Sequence, residues 1–538
     1  MMDKTGRLAS IDREVPMRLG LHWGRLAETI TRILEDHKFL SICLFSLFYF
    51  LGACGKASSK PFWFDELFSW HVAKLASLSE IWDALNEGID PNPPLSYFLI
   101  RASHWVLGPG EVATRLPFLI GFWLALLFLL IFISKRCGIL VSYISILFLC
   151  LSASYGYAFE ARPYAFVLAC CCASLLCWQL AIEGRVRRLA LLGLSVSLGV
   201  ALFSHFYAIL LFVPVAIGEA YRSFRSRKID WPIWVSMAAG ASVLLPLVPM
   251  MLKLREYSEF YYAKPTWREF LESINWFFRD PVLMCLYVVV CFIGVLRAGY
   301  LLTPNEKSQS ANWNMPSHEL IATFSLISLP AIGFVFAKLV TNAFLFRYFL
   351  PTAIGIALGL AFRYKIFLKD RLWVATLLLI SLLSVFIARQ TTDVRGLVSK
   401  KPDSFGHRLT KSLSGAGDND PIVISDGVKF PQYLHYVLPN LRSRLYYLID
   451  PRIARQNNID TLERSLSALR KRVPMGVEDY RSFLSSHDHF YLCGPVNLFL
   501  LHLPEDEFQI KLRKIRGNTF LEVFVESSLS GKAVNANR

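Results

Sequence analysis

The sequence predicts a mainly α-helical, polytopic membrane protein with a small C-terminal α/β domain. Three observations favour this class. The 538 residues are 54% hydrophobic and have a mean hydropathy of +0.41, which is high for a soluble chain of this length. Apolar runs close to the ~20 residues that cross a hydrocarbon core recur up to residue 388. Beyond that point, short β-branched runs alternate with helical patterns.

We expect a spanning helix for each of eleven apolar runs. They lie near residues 39–55, 116–134, 138–154, 163–182, 188–204, 206–221, 231–251, 281–299, 319–340, 348–366 and 371–388. The loops between them alternate in charge. Basic residues fill 135–136, 185–188, 222–228 and 363–371, whereas "YGYAFEAR" (155–162) and "SHFY" (204–207) are poor in Lys and Arg. This alternation predicts a cytoplasmic N-terminus and, with an odd number of spans, an external C-terminus.

Three regions follow from this topology. Residues 1–38 form a basic cytoplasmic arm that reads as part of a signal anchor. Residues 39–388 form the transmembrane domain, whose first external loop, 56–115, carries two short helices at the membrane surface. Residues 389–538 form an extracytoplasmic α/β domain, with strands expected at "PIVIS" (421–425), "RLYYLI" (444–449), "HFYLCG" (489–494) and "FLEVFVES" (520–527).

Composition also narrows the function. The formal net charge of +16 would suit nucleic acid, but the basic residues lie between apolar runs, where orientation in a bilayer explains them. The sequence contains no Walker-type loop, no Gly-rich dinucleotide turn and no Cys/His cluster with metal-ligand spacing. ATP-driven transport, redox chemistry with a dinucleotide and nucleic-acid binding are therefore disfavoured.

Polar residues are expected to concentrate at the external ends of the spans. These residues are Asp65, Glu66, Asn92, Glu160, Arg162, His205 and Arg347. Charges at a membrane boundary are functional candidates because they are expensive to hold there. A transporter should instead place its charges near the midplane. The pattern favours an enzyme whose substrate arrives from the outer leaflet.

Four segments resemble a known family. "FDELFSWHVAKL" (64–75) looks like the acidic first-loop motif of GT-C fold membrane glycosyltransferases. The segment from Asp90 to Pro117, "YGYAFEARPYAFVLA" (155–169) and "FRYFLP" (346–351) are similar to further motifs of bacterial relatives of the dolichyl-phosphate-mannose–protein mannosyltransferases, in families 39 and 83. One departure is Asn92, where these relatives usually carry His. Asn can donate hydrogen bonds but cannot act as a cation.

The resemblance implies a glycosyltransferase in the bacterial inner membrane that uses a polyprenyl-phosphate-linked sugar on the extracytoplasmic face. The acceptor would be an envelope lipid, glycan or protein. In this scheme Asp65 is the general base, and Glu66 is its partner or orients the loop. Arg162 and Arg347 are expected to bind the donor phosphate. Further candidates for the substrate site are Asn92, Glu160, Tyr164, His205 and Tyr348.

Alternatives remain for several of these residues. Arg162 could pair structurally with Glu160 or Glu66, and Arg347 could extend to the lipid headgroups. No cofactor is expected; a divalent cation held by carboxylates is possible but not favoured. Membrane lipids are the remaining partners. The rival functions are a carrier or flippase for a lipid-linked or anionic substrate, and a non-catalytic assembly protein of the envelope.

Overall fold

A computed structural model of the chain describes residues 25–256, 261–277, 315–367, 372–399, 404–413, 416, 419–457, 459–494, 508–514 and 520–527. The membrane domain is built from long apolar helices. Unbroken helical segments long and apolar enough to span a membrane are Lys38–Ser59, Glu111–Cys137, Tyr164–Glu183, Arg187–Ser204, Phe206–Ser226, Trp231–Arg255 and Leu372–Arg395. The chain is therefore an integral, multi-pass membrane protein, as its composition predicts.

Two further spans are bent helix pairs. Ile139–Leu151 meets Ala153–Phe159 at 72°, and Ser317–Ile327 meets Leu329–Thr341 at 57°. Ser152 is extended at the first break, and Pro330 near the second cannot donate a backbone hydrogen bond. Counting each pair as one span gives nine candidates among the described residues. Both bends matter for the site, because the segments that follow them carry Arg162 and Arg347.

Nine of the eleven predicted spans coincide with these helices and bent pairs. The run at 348–366 coincides with the helix Pro351–Phe367, which has 17 residues and is not among the nine candidates. The run at 281–299 lies outside the described residues. In the loop 56–115 the two expected helices are Phe64–Ala73 and Leu78–Asn86, and a third, Leu95–Leu107, follows Pro94. Another amphipathic helix, Trp267–Phe277, lies in the segment after the seventh predicted span.

The C-terminal domain is a six-stranded mixed sheet with helices. The strands are β1 (Ile422–Ile424), β2 (Leu445–Ile449), β3 (Val477–Asp479), β4 (His489–Cys493), β5 (Phe508–Lys514) and β6 (Phe520–Ser527). Their order is β3-β2-β1-β4-β6-β5. The first four pair in parallel, whereas β6 pairs antiparallel to β4 and β5. All four predicted strands are confirmed, and β3 and β5 are additional.

Short helices cover this sheet and connect it to the membrane domain. They are Ser404–Leu413, Phe430–Tyr436, Pro439–Arg442, Pro451–Gln456, Asp460–Arg470 and Tyr480–Ser486. The Tyr436 hydroxyl accepts a hydrogen bond from the Phe62 amide at 2.7 Å, and the Gln432 amide donates to the Phe62 carbonyl at 2.6 Å. Arg472 pairs with Glu87 at 2.7 Å. The domain thus packs on the loop that carries Asp65.

Candidate active site

Asp65 begins the first surface helix, next to the buried Glu66. The helix Phe64–Ala73 starts after the extended Trp63, whose amide donates to the Glu66 carboxylate at 3.4 Å. Acidic residues in a first helical turn are favoured by the helix dipole. Leu67, Phe68 and Val72 of this helix are buried. The aromatic and apolar residues around the two acids therefore anchor the helix, and they leave the two carboxylates in different environments.

Glu66 is held in a saturated buried ion pair. Its two carboxylate oxygens accept from Nε and a terminal nitrogen of Arg115 at 2.7 and 2.6 Å, and both side chains are fully buried. The Ala161 amide donates to the same carboxylate at 3.0 Å. Arg115 also donates to the carbonyls of Ala57 and Lys60 at 2.5 Å. This arrangement fixes the loop 57–66 against the spanning helices and favours the orienting role for Glu66.

Asp65 lies between two arginines from distant segments. Its Oδ2 is 3.3 Å from a terminal nitrogen of Arg347 and 3.7 Å from Nε of Arg162. The contacts that the described residues make with this carboxylate all go to Oδ2, and its side chain is 16% exposed. Oδ1 is thus left available to accept a proton. The structure brings together Asp65, Arg162 and Arg347, which are far apart in the sequence.

Arg162 is anchored by Asp90, a residue that sequence analysis did not single out. The Arg162 Nη1 group donates to Asp90 Oδ2 at 2.8 Å, and both side chains are buried. Asp90 and Asp65 are its carboxylate partners, rather than Glu66 or Glu160. Burial lowers the pKa of Arg162, but these carboxylates outweigh it and raise the pKa well above its ordinary value. Arg162 is therefore a permanent cation.

Asn92 and Glu160 lie at the edge of this cluster. The Asn92 amide donates to Asp90 Oδ1 at 2.5 Å. Asn92 thus supports the carboxylate that holds Arg162. Glu160 pairs with Lys60 at 3.0 Å. Burial raises the pKa of Glu160, and Lys60 opposes that shift.

Tyrosines and His205 form one wall of the site. The Arg347 guanidinium lies 5.9 Å from the ring of Tyr164, and one of its terminal nitrogens donates to the Tyr262 hydroxyl at 3.1 Å. Tyr348 shares a hydrogen bond with Tyr261 at 2.7 Å. The rings of Tyr164 and Tyr348 lie 5.5 and 4.9 Å from that of His205.

His205 is a neutral member of this wall. Burial, then Arg162 and Arg347, lower the pKa of His205 to about 3. Its Nδ1 accepts from the Tyr207 amide at 3.1 Å, so the proton of the neutral ring is on Nε2. The imidazole can therefore donate a hydrogen bond to a ligand but does not supply a positive charge at neutral pH.

Two guanidinium Nε groups in the site are buried without a hydrogen-bond partner among the described residues. They belong to Arg162 and Arg347. Buried donors are normally satisfied. An anion with several oxygens, such as a phosphate, is the chemical species that two such arginines would bind. No group of three or more His, Cys, Asp or Glu side chains suited to a metal ion occurs in the described part of the chain.

The other end of the membrane domain also contains buried charge, so the expectation that polar residues concentrate at one end is wrong. We call these residues the opposite-end network: Arg136, Gln179, Glu183, Arg187, Glu219, Arg222, Asp230 and Glu319. Arg136 binds Glu319 through three contacts of 2.6–3.1 Å. Arg222 binds Glu219 at 2.9 and 2.6 Å, and Trp178 donates to Glu219 at 3.0 Å. The sequence does not show that Arg136 pairs with Glu319, because the two residues lie far apart along the chain.

Several residues of the site were missed by sequence reasoning. Arg115 and Asp90 lie in the quoted 90–117 segment, but only the fold shows which carboxylate each arginine meets. Tyr261 and Tyr262 follow the seventh predicted span, where "YY" before "AKP" was the available signal.

Comparison with known proteins supports the fold. No protein-family model matches the sequence, and a search of the curated proteins finds no match. Among solved structures, ArnT from Cupriavidus metallidurans bound to undecaprenyl phosphate is similar, with a TM-score of 0.50, 14% identity, and coverage of 91% of this chain and 98% of that chain. The same protein in the apo state gives a TM-score of 0.46 at 12% identity, covering 91% and 98%.

The oligosaccharyltransferase of Archaeoglobus fulgidus, in complex with zinc and sulfate, gives a TM-score of 0.42 at 11% identity, covering 88% of this chain and 72% of that chain. At these identities only the overall architecture can be compared. The chain therefore has an ArnT-like fold: a mainly helical membrane domain followed by a small mixed α/β domain.

Proposed function

We propose that the chain is a GT-C glycosyltransferase that transfers a sugar from a polyprenyl-phosphate donor to an envelope acceptor on the extracytoplasmic face. The observation that carries the proposal is the Asp65 cluster, which consists of Asp65, Asp90, Arg162 and Arg347. It combines a carboxylate with one available oxygen and two guanidinium groups with unused Nε donors. The fold of ArnT, solved with undecaprenyl phosphate, supports the same class of donor.

The reaction requires one proton transfer and one displacement. An acceptor hydroxyl attacks the anomeric carbon of the donor sugar, its proton passes to Oδ1 of Asp65, and the bond between that carbon and the phosphate oxygen breaks. The polyprenyl phosphate leaves with the bonding electrons, and its added negative charge develops beside Arg162 and Arg347. A single direct displacement inverts the configuration of the anomeric carbon.

Binding of the donor would rearrange the contacts of the arginines. Arg347 has one terminal nitrogen on Asp65 and the other on the exposed Tyr262 hydroxyl. The 3.3 Å contact with Asp65 is long for a charged hydrogen bond. A phosphate group that takes over these donors would release Asp65 for the proton transfer. In this proposal Asp65 stays paired with Arg347 until the donor phosphate binds.

The experiment is a transfer assay with purified full-length protein, a panel of labelled polyprenyl-phosphate sugars and extracted envelope lipids. We expect one donor to be consumed by the wild type with label appearing in an acceptor. Asp393→Asn is the matched control for Asp65→Asn. Asp393 is also a partly buried carboxylate, and it pairs with Lys56 at 3.1 Å outside the cluster. If every donor is left intact while proteoliposomes of the same protein translocate a lipid-linked sugar, the chain is a carrier and the proposal fails.

A further inference from the structure

Asp90 binds Arg162, one of the two arginines beside Asp65. Its Oδ2 binds Arg162 at 2.8 Å, whereas Arg162 Nε is 3.7 Å from Asp65, beyond hydrogen-bond distance. The same Arg162 Nη1 group has only long contacts elsewhere, 3.4 Å to the Ser69 hydroxyl and 3.5 Å to the Asp65 carbonyl. Asp90 thus makes the shortest contact of this guanidinium among the described residues.

Asp90 is itself held rigidly. It is 6% exposed, and the Asn92 amide donates to its other oxygen, Oδ1, at 2.5 Å. Asp90, Pro91 and Asn92 lie in the bend that precedes Pro94 and the helix Leu95–Leu107. A carboxylate with one oxygen on an amide and one on a guanidinium has little freedom to move. Among the described residues, Asp90 is thus the link between Asn92 and Arg162.

We infer that Asp90 is a positioning residue that keeps Arg162 off Asp65, so that Asp65 stays available as a base while Arg162 keeps its Nε directed at the donor phosphate. The inference rests on the proposed function. Without the Asp90 charge, Arg162 would have one carboxylate partner left among the described residues, the partly exposed Asp65. A closed bidentate pair with Arg162 would stabilise ionised Asp65, weaken it as a base and use up the Nε donor.

The other charged and titratable groups near Asp65 do not substitute for Asp90. Arg347 contacts Asp65 from the segment after the bent span. Glu66 is saturated by Arg115, and Glu160 is paired with Lys60. Further titratable side chains lie around these groups; they are Tyr97 beside Asp90 and Arg162, and Tyr157, Tyr164, His205, Tyr262 and Tyr348 around Arg162 and Arg347. Among the described residues, Asp90 is the carboxylate that binds Arg162 at hydrogen-bond distance.

The test is the transfer assay on Asp90→Asn, with the wild type and Asp393→Asn measured in parallel. The asparagine keeps the shape of the side chain and removes its charge. We expect kcat to fall by about 10- to 100-fold with KM for the donor changed less, and the acidic limb of the kcat profile to move to lower pH. A wild-type rate and pH profile for Asp90→Asn would overturn the inference.

A double variant separates positioning from folding. In Arg162→Gln, the guanidinium that Asp90 positions is absent, so adding Asp90→Asn should cause no further loss of kcat. This double variant also removes both charges of the buried pair, which protects it from the cost of one unpaired buried ion. If the folded double variant has a lower kcat than Arg162→Gln alone, the inference is contradicted. Absence of transfer by the wild type would instead refute the proposed function.

Discussion

The two ends of the membrane domain hold similar side chains in different ways. At the opposite-end network, Glu219 and Glu319 are almost fully buried, and each forms several short hydrogen bonds with an arginine. At the Asp65 cluster, the carboxylate is partly exposed, its contacts are 3.3 and 3.7 Å, and both arginines keep an unused Nε. Arg115 and Arg136 mark the two ends of one helix, roughly 30 Å apart at 1.5 Å per residue.

This difference teaches that buried charge alone does not identify a functional site. A saturated pair has its hydrogen bonds satisfied, so it holds helices together and offers nothing to a ligand. A loosely held carboxylate beside unused donors can change partners. By this criterion Glu66 belongs with the opposite-end network, although it is adjacent to Asp65 in the sequence.

The largest expected effect on stability is at Glu66. Glu66→Ala leaves the Arg115 guanidinium charged and fully buried without its carboxylate, which costs about 3–5 kcal/mol. We expect little monodisperse protein on size-exclusion chromatography in detergent. Glu66→Ala combined with Arg115→Met should recover much of it. A well-folded Glu66→Ala protein without transfer activity would show instead that Glu66 takes part in the chemistry.

At the opposite end, Glu319→Ala should destabilise without impairing the site. It leaves Arg136, which is 19% exposed and also pairs with Glu183, with one fewer carboxylate, so we expect a loss of about 2–3 kcal/mol, somewhat below the range for a fully buried pair. The thermal midpoint should fall, while the transfer rate per folded molecule stays close to that of the wild type. A loss of kcat without a fall in the thermal midpoint would show that Glu319 contributes to catalysis, contrary to this comparison of the two ends.

Arg347→Gln should weaken donor binding. The substitution removes the charge next to Asp65 and the donor to the Tyr262 hydroxyl, so kcat/KM for the donor should fall about 10- to 100-fold because a charge-assisted contact with phosphate contributes about 1.5–3 kcal/mol. Arg347→Lys keeps the charge but not the two-pronged guanidinium. Its kcat/KM should lie between those of the wild type and Arg347→Gln. Titration of the donor concentration in the assay checks this, and an unchanged KM and kcat would place Arg347 outside the site.

A third kind of buried acid, Glu463 in the C-terminal domain, gives an expected effect that depends on pH. Burial raises the pKa of Glu463 to about 9, and Asp450 and Asp460 add repulsion. The folded state binds this proton more tightly than an unfolded chain with a pKa of ~4.3. Its stabilising contribution is therefore complete below about pH 4 and is lost as the pH rises through about 9.

Glu463→Gln should remove that dependence. We expect the variant to unfold at a higher temperature than the wild type at pH 9, with a smaller difference at pH 6, in thermal unfolding of the full chain. Equal midpoints at pH 9 would show that the Glu463 carboxyl is solvated rather than neutral.

Much of the fold was predictable because its signals are local. Apolar length located the spans, and β-branched runs located β1, β2, β4 and β6. The three-residue β3 has no such run, and β5 carries alternating charged residues in "FQIKLRK". The bends at Ser152 and Pro330 depend on packing and on a missing backbone donor rather than on hydropathy.

Three members of the Asp65 cluster could be named from the sequence, but Asp90 and the pairing of the charges could not. Asp65, Arg162 and Arg347 were found from their boundary positions and the family resemblance. That Glu66 binds Arg115 while Arg162 binds Asp90 follows from which helices pack together over 49 and 72 residues of sequence. Hydropathy and motif spacing do not contain that information. The pairing decides which of the two adjacent acids, Asp65 or Glu66, has a carboxylate oxygen available to accept a proton.

The measurement that tests this account most directly is the transfer rate of Asp65→Asn relative to the wild type, with equal elution on size-exclusion chromatography as the control for folding. Loss of a general base should lower kcat by about 10²- to 10⁴-fold, with the protein still accumulating in the membrane. A folded Asp65→Asn protein that transfers sugar at the wild-type rate would contradict the assignment of Asp65 as the base.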